Sequence, residues 1–361
     1  MKEKPINFDT AAAGRPFPKL AEWYAELLPK FSVNPHGGTC YAEVCRRAVI
    51  DAERRLLSLL GISEGSADVI WTSGVTEALN LAATALGGKD VLADPGAHDA
   101  LAMPLSDSHC KTFVIEEDGS LHAGCFCGNA ALSHVNNETG VEQDLERIRR
   151  EIGNGLLLVD VAQSFCRCRI PWNEAGIDML ALSSRKIGGP SSVGALVCRR
   201  GRVALRPLIV GGGQQHGLRS GTVDVCGIEM FVRTAEQRLA AMTETRARIK
   251  ALNAALRECL GAFSRKHELV CGDGDRHIHM LHLPGYEGAV VSRILADEYG
   301  IMVASSSACS AEHGGGSKTM RALGYSEQAA KEAIRISFDG EDTEDEVRSL
   351  FVALEKTLAD F

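Results

Sequence analysis

Two short, uninterrupted apolar runs, Leu156-Leu157-Leu158-Val159 and Met179-Leu180-Ala181-Leu182, constrain this chain more than any other feature. A run of strand length with no polar alternation belongs to a strand buried on both faces, and such strands occur in sheets covered by helices on either side. Asp160 closes the first run, and Ser183-Ser184-Arg185-Lys186 closes the second. Both polar groups therefore stand at carboxyl ends of buried strands, the edge of an open α/β sheet where ligands bind.

The surrounding pattern fits such a sheet. Apolar residues at helical spacing (Val44, Ala48, Ala52, Leu56, Leu57, Leu60) mark a helix over 42–60 that stops at Gly61. A strand follows over 68–72, then a turn at Ser73-Gly74 and a helix over 75–86. Further strands are expected at 90–93, 112–115, 130–134, 156–160, 179–183 and 193–199. Strands separated by helices imply a mostly parallel sheet with both faces covered. Residues 236–261 read as one long charged helix, a connector to a smaller α+β unit with strands near 278–283 and 333–337. The fold class is thus α/β: a large domain with a mostly parallel mixed sheet over 16–244, and a smaller α+β domain from 1–15 and 245–361. With 361 residues and 45% hydrophobic content, the chain has material for two cores.

A formal net charge of -8 argues against the clustered positive charge that a phosphate backbone demands, so no nucleic-acid partner is expected. Arg46-Arg47 and Arg199-Arg200-Gly201-Arg202 read as solvated faces. Met1-Lys2-Glu3-Lys4-Pro5 holds no signal-peptide core and no apolar stretch is long enough to span a bilayer, so a cytoplasmic location and no membrane partner are expected. The 12 cysteines are scattered rather than spaced as a disulfide framework, which suits a reducing compartment. Cys125-Phe126-Cys127 and Cys166-Arg167-Cys168 each put two thiols on one strand face with no Cys-x-x-Cys pair beside them. They read as small packing residues, and no metal site is expected.

An acid and a lysine at one sheet edge suit pyridoxal phosphate: the lysine forms a Schiff base with it, and the carboxylate keeps the pyridinium nitrogen protonated. The strand-turn-helix at Thr72-Ser73-Gly74-Val75-Thr76-Glu77 presents backbone amides and a hydroxyl at a helix amino terminus, where a phosphate could be cradled. Taken alone, it reads first as a capping box with Ser73 or Thr76 as the cap.

Ser73-Gly74-Val75-Thr76-Glu77, His98, His134-Val135-Asn136-Asn137-Glu138-Thr139-Gly140, Asp160-Val161-Ala162-Gln163-Ser164, Ser183-Ser184-Arg185-Lys186, Arg219-Ser220-Gly221-Thr222, Ser307-Ala308-Cys309 and Arg335-Ile336-Ser337 occur in that order. In this order the chain resembles the cysteine desulfurases, class V aminotransferase-fold enzymes that use pyridoxal phosphate, and among them the housekeeping and nitrogen-fixation group. The resemblance implies a fold type I homodimer that converts L-cysteine to L-alanine. The sulfur would be held as a persulfide on the enzyme's own cysteine and passed to a sulfur-acceptor protein such as an iron–sulfur cluster scaffold.

Residue by residue, the resemblance gives Lys186 the covalent link to the cofactor and the transfer of the Cα proton. It pairs Asp160 with the pyridine nitrogen, sets Gln163 and Asn137 against the ring hydroxyl, and stacks His98 on the ring, where it assists proton transfer. Val75 (backbone), Thr76 and Ser183 would hold the phosphate, with Thr222 reaching it from the neighbouring subunit. Arg335 would clamp the substrate carboxylate, with Asn137 also at the substrate, and Cys309 would carry the sulfur. Read singly, Asn137 suits a turn and His98 a loop equally well. Cys309 lies in a stretch of small residues, Ala304 to Ser310 followed by Gly314-Gly315-Gly316, which reads as a mobile loop.

Two departures from the family pattern stand out. Arg185 occupies the position before the lysine where histidine is usual, and Gln214-Gln215-His216 stands where relatives carry His-Glu-Arg. The alternatives are a selenocysteine lyase or a cystine carbon–sulfur lyase on the same fold, or a cofactor-binding partner protein with little catalysis.

Overall fold

The computed structural model describes residues 5–106, 108–305 and 315–359. The main sheet is built from β1 (Ala67–Thr72), β2 (Asp90–Ala93), β3 (His109–Thr112), β4 (Asn129–Ser133), β5 (Leu157–Asp160), β6 (Met179–Ser183) and β7 (Gly194–Arg199). Their spatial order is β1-β7-β6-β5-β4-β2-β3. From β6 to β3 neighbouring strands are parallel, and β7 is antiparallel to both β6 and β1.

Every residue of β5 and β6 is buried, because helices cover both faces of the sheet. Alternate side chains of each strand enter opposite cores, as the two-residue strand period requires. Leu157, Val159, Leu180 and Leu182 pack with Phe165, Trp172 and Phe231, whereas Leu158, Met179 and Ala181 pack with Leu79, Leu81 and Leu101. The first core is covered by α1 (Cys40–Leu59); the second by α2 (Val75–Ala83); α3 (Leu145–Ile152) and α4 (Val225–Ala240) return to the first. Side-chain caps fix where three of these helices begin: Thr39 Oγ1 accepts the Ala42 N–H at 3.2 Å, Asp144 Oδ1 that of Arg147 at 2.9 Å, and Asp224 Oδ1 that of Gly227 at 2.9 Å.

After α4 come α5 (Met242–Ala262), β8 (Glu268–Leu269), β9 (Ile278–His282), α6 (Gly288–Tyr299), β10 (Ala304–Ser305), β11 (Ala333–Ser337) and α7 (Glu344–Ala359). The strands form an antiparallel sheet in the order β8-β9-β11-β10. Leu256, Leu281, Leu295, Ile334, Ile336 and Leu354 make its core, which Phe8 joins from the amino-terminal segment. That segment is tied in by parallel pairing of Ile6–Asn7 with Ile301–Met302.

Several local expectations change. The single helix over 236–261 is two, because Ala241 (φ -88°, ψ 0°) ends α4 and precedes α5. The strand over 112–115 is split between β3 and the pair Val114–Ile115, with Phe113 buried between them. Cys125 and Cys127 lie outside the strands and are exposed, so they are not packing residues, whereas Cys166 is buried. Arg199 is no solvated charge: it stacks 4.5 Å from the Trp172 ring and donates to the Ile177 and Trp172 carbonyls.

Candidate active site

Asp160 is the last residue of β5 and is buried, with its Oδ1 accepting the Ala162 N–H at 2.9 Å. Burial pushes its carboxyl up to about 6, while the Ala162 N–H and the positive Lys186 act in the opposite direction. Asp94 also repels it. That second acid follows β2 and is itself pushed up to about 6 by burial, although the N–H groups of Ser133 and Gly96 donate to it. Sequence reasoning passed over Asp94, yet its signal is that of Asp160: a carboxylate closing an apolar strand.

Lys186 lies in the turn after β6, and its Nζ donates to the carbonyl oxygens of Ala11 and Ala12, both at 2.8 Å. The amino-terminal segment thus lines the cleft, which the sequence reading missed. Gly14 N donates to Arg185 O at 3.2 Å, and a Cβ on Gly14 would come within 2.7 Å of Lys186 O. Gln163 Nε2 donates to Ala11 O at 2.9 Å, leaving its buried Oε1 with no hydrogen-bond partner among the described residues. The run Thr10-Ala11-Ala12-Ala13-Gly14 is the signal for this close approach. Arg185 itself is exposed.

The turn after β1 settles the capping question. Gly74 is the N-cap of α2, so neither Ser73 nor Thr76 caps the helix; Glu77 Oε2 instead accepts the Ser73 N–H at 2.8 Å. The first turn of α2, with Val75 and Thr76, is left without a side-chain cap, and its amides carry the positive end of the helix dipole. Gly194 of β7 permits the turn to sit close, since a Cβ there would fall 2.5 Å from Gly74 C. Arg219 pairs with Glu77 at 2.9 Å, which draws the Arg219–Thr222 segment against the same helix start. Thr76 and Thr222 are exposed, while Ser183 at the end of β6 is buried. Gln215, at the second departure, donates to Trp71 O and accepts from Trp71 N, covering the free edge of β1.

Arg335 of β11, in the second sheet, is buried, with Nη2 2.7 Å from Asp9 Oδ1 and Nη1 3.0 Å from Asn137 O. Asn137 Oδ1 is a buried acceptor with no partner among the described residues. Its neighbour Asn136 is the turn former, accepting the N–H groups of Glu138 and Thr139. His98 caps the short helix Asp99–Ala102 through Nδ1. Its imidazole is held below the usual value first by burial and then by the positive Lys186, with Lys318 and Arg335 acting in the same sense.

Cys309 lies outside the described residues. What precedes and follows its segment is fixed at the site: Ala304 of β10 pairs with Arg335, while Glu138 accepts from Ser317 Oγ at 2.7 Å and Thr319 N at 2.9 Å. Lys318 pairs with Asp99, beside His98.

The model of the Aminotransferase class-V family matches residues 127–350, well over half of the chain. The chain belongs to the class-V aminotransferase family. A cysteine desulfurase IscS of Anaeromyxobacter sp. (strain Fw109-5) is 32% identical to this class-V aminotransferase over 95% of the chain and 90% of the relative. One of Pseudomonas entomophila (strain L48) is 30% identical with the same coverage of both. Among solved structures, a NifS-like protein from Rickettsia africae superposes with a TM-score of 0.89 at 23% identity, over 98% of this chain and 99% of that one, a likeness of fold. Another, SspA solved in complex with cysteine, has a TM-score of 0.76 at 25% identity, over 94% of this chain and all of that one. Among the described residues of this class-V aminotransferase, no helix is long and apolar enough to cross a membrane.

Proposed function

We propose that this member of the class-V aminotransferase family is a pyridoxal-phosphate-dependent cysteine desulfurase, converting L-cysteine to L-alanine and carrying the sulfur as a persulfide on Cys309. The observation that carries the reading is a buried acid and a lysine at the carboxyl edge of the main sheet, with the lysine and Arg335 of the second sheet both tied to residues 9–12 and both acting on His98. The names of the relatives support the same reading.

The residues present fit the cofactor. Asp160 is a buried carboxyl whose burial outweighs the pull of Lys186 and the Ala162 N–H, so a protonated ring nitrogen would stabilise its charged form. Gln163 Oε1 and Asn137 Oδ1 are buried acceptors that a ring hydroxyl would satisfy. The uncapped start of α2 at Val75 and Thr76, with Ser183 nearby in sequence to Lys186, offers donors for a phosphate, and Thr222 of a second copy would add a hydroxyl. When bound, pyridoxal phosphate supplies the electron sink that accepts negative charge from the substrate carbon.

The chain's own groups do the rest. Arg335 exchanges Asp9 for the substrate carboxylate, matching its planar donor fork to two oxygens. Lys186 Nζ removes the Cα proton and returns one to carbon. His98, held neutral by burial and its cationic neighbours, is suited to shuttle a proton beside it. The Cys309 thiolate attacks the substrate sulfur: the S–S bond forms, the C–S bond breaks with its electron pair left on carbon, and protonation of that carbon yields alanine. A homodimer, a cytoplasmic location and a sulfur-acceptor protein go with this reading.

The test is to incubate the purified protein with cysteine, with and without dithiothreitol, and to measure alanine and sulfide together. Both should appear in equal amounts with reductant. Borohydride should trap the cofactor on Lys186, and without reductant mass spectrometry should find the extra sulfur on the peptide containing Cys309. A Cys309→Ser variant that releases sulfide at the wild-type rate would turn the reading toward a lyase that needs no protein thiol.

A further inference from the structure

A second cavity, of about 620 Å³, opens between the two sheet-bearing parts of the chain, and none of Asp160, Lys186, His98 or Arg335 lines it. Its volume lies in the range of small-molecule sites. Arg167, Arg246, Lys250 and Arg276 bring positive charge to its wall, and Val141, Met242, Ile249 and Phe338 supply apolar surface.

The acids on the same wall have nearer partners, although Asp339 still acts on Arg167, Asp118 on Arg276 and Glu142 on Arg246 at longer range. Asp339 pairs with Arg15 at 2.9 Å, Asp275 with Arg257 at 3.0 Å and Glu142 with His134 at 3.6 Å, while Asp118 accepts the Ser120 N–H at 2.9 Å. The arginines, by contrast, donate to main-chain oxygens: Arg167 to Lys186 O at 2.9 Å, Arg246 to Arg167 O at 3.0 Å and Arg276 to Cys271 O at 2.9 Å. No carboxylate among the described residues is within ion-pair distance of these four cations. Arg276 Nη1 is buried with no hydrogen-bond partner among them. Burial lowers the pKa of Arg167 and Arg276 and outweighs the opposing pull of Asp339 on the first and of Asp118 and Asp273 on the second, as for cations held out of water. A buried cation of that kind gains most from an incoming anion.

We infer that this cavity binds a small organic anion, with a phosphate or carboxylate head among Arg167, Arg246, Lys250 and Arg276 and an apolar body against Val141, Met242, Ile249 and Phe338. The site also has a route to the cleft. Arg167 Nη2 holds Lys186 O and its Nη1 reaches Gln163 O at 3.4 Å, so an anion that draws Arg167 toward the cavity changes the seating of Lys186. That second step rests on the proposed role of Lys186; the binding step does not.

Calorimetry on the purified holoenzyme tests both, with phenyl phosphate and benzoate as probes and phenol as the neutral control. One or both anions should bind once per chain, the tighter of the two naming the head group, and phenol should give no saturable heat. Arg276→Gln and Lys250→Gln should each weaken the anion at least tenfold; Lys250 is exposed, so its variant tests the site even if the buried arginine proves needed for folding. Saturation with the anion should also shift the visible absorbance of the cofactor on Lys186. Equal affinity in wild type and both variants, or phenol binding as well as the anions, overturns the site. Binding with an unmoved absorbance band overturns the route through Arg167. A protein that binds the probe yet carries no cofactor on Lys186 would sink the proposed function alone.

Discussion

Asp160 shows how a single residue carries a cost that function recovers. Its carboxyl, raised from 3.8 to about 6, holds a proton that the unfolded chain releases between those values. The cofactor-free protein therefore loses stability as pH rises through that window and stays less stable above it, by at most about 3 kcal/mol from this group. Asp160→Asn should raise the melting temperature of the cofactor-free protein at pH 7 and reduce, without abolishing, its pH dependence between 4 and 6, since Asp94 titrates there too. The same variant should retain pyridoxal phosphate poorly. An unchanged melting profile would mean that Lys186 and the Ala162 N–H already offset the burial of Asp160. Arg335 gives a second test at this scale. Removing it deletes one partner of a largely desolvated pair, so Arg335→Ala should raise the Michaelis constant for cysteine by roughly 2 to 5 kcal/mol in binding terms. An unchanged constant would remove Arg335 from the substrate site.

Among the elements, the segment from Asp9 to Arg15 has the widest reach for its length. It supplies acceptors to Lys186 and Gln163, a counter-ion to Arg335 and, through Arg15, a pair to Asp339. Gly14 makes this approach possible, because a Cβ there would meet two main-chain atoms, Lys186 O at 2.7 Å and Gly188 N at 2.8 Å. Neither can swing aside as a side chain could. Gly14→Ala should therefore cost about 1 to 3 kcal/mol of stability by urea denaturation, as overpacking does elsewhere, and should loosen cofactor retention. Full stability together with full cofactor content would show that the segment can shift without disturbing Lys186.

The whole molecule leaves apolar side chains uncovered: Tyr41, Val44 and Ile50 on α1, and Leu208, Ile209 and Val210 in the loop before Arg219. Exposed apolar side chains grouped on one helix and in one loop suit association with a second copy. Analytical ultracentrifugation should give a dimer, and Val210→Asp should shift it toward monomer and lower the pyridoxal phosphate content if Thr222 of the second copy helps to hold the phosphate. A wild-type monomer that retains cofactor and activity would contradict the shared site.

The residues legible in the sequence are those whose signal is local. Asp160 and Lys186 come after apolar runs whose burial on both faces is written in four consecutive residues, and the sheet around them follows from the same pattern. Breaks were harder to read: Ala241 divides two helices although alanine favours a helix, so local propensity gives no sign of the turn there. The contacts that complete the cleft were not legible at all. Lys186 meets Ala11 across 175 positions, and Arg335 meets Asp9 across 326. Such pairs have no common period or spacing, since only the docking of the second sheet and the amino-terminal segment onto the main sheet brings them together. The sequence thus determined the fold class and the edge at which chemistry occurs; the tertiary structure alone decided which carbonyls hold the lysine, which acid holds Arg335 and which four arginine and lysine side chains line one cavity with no carboxylate at ion-pair distance.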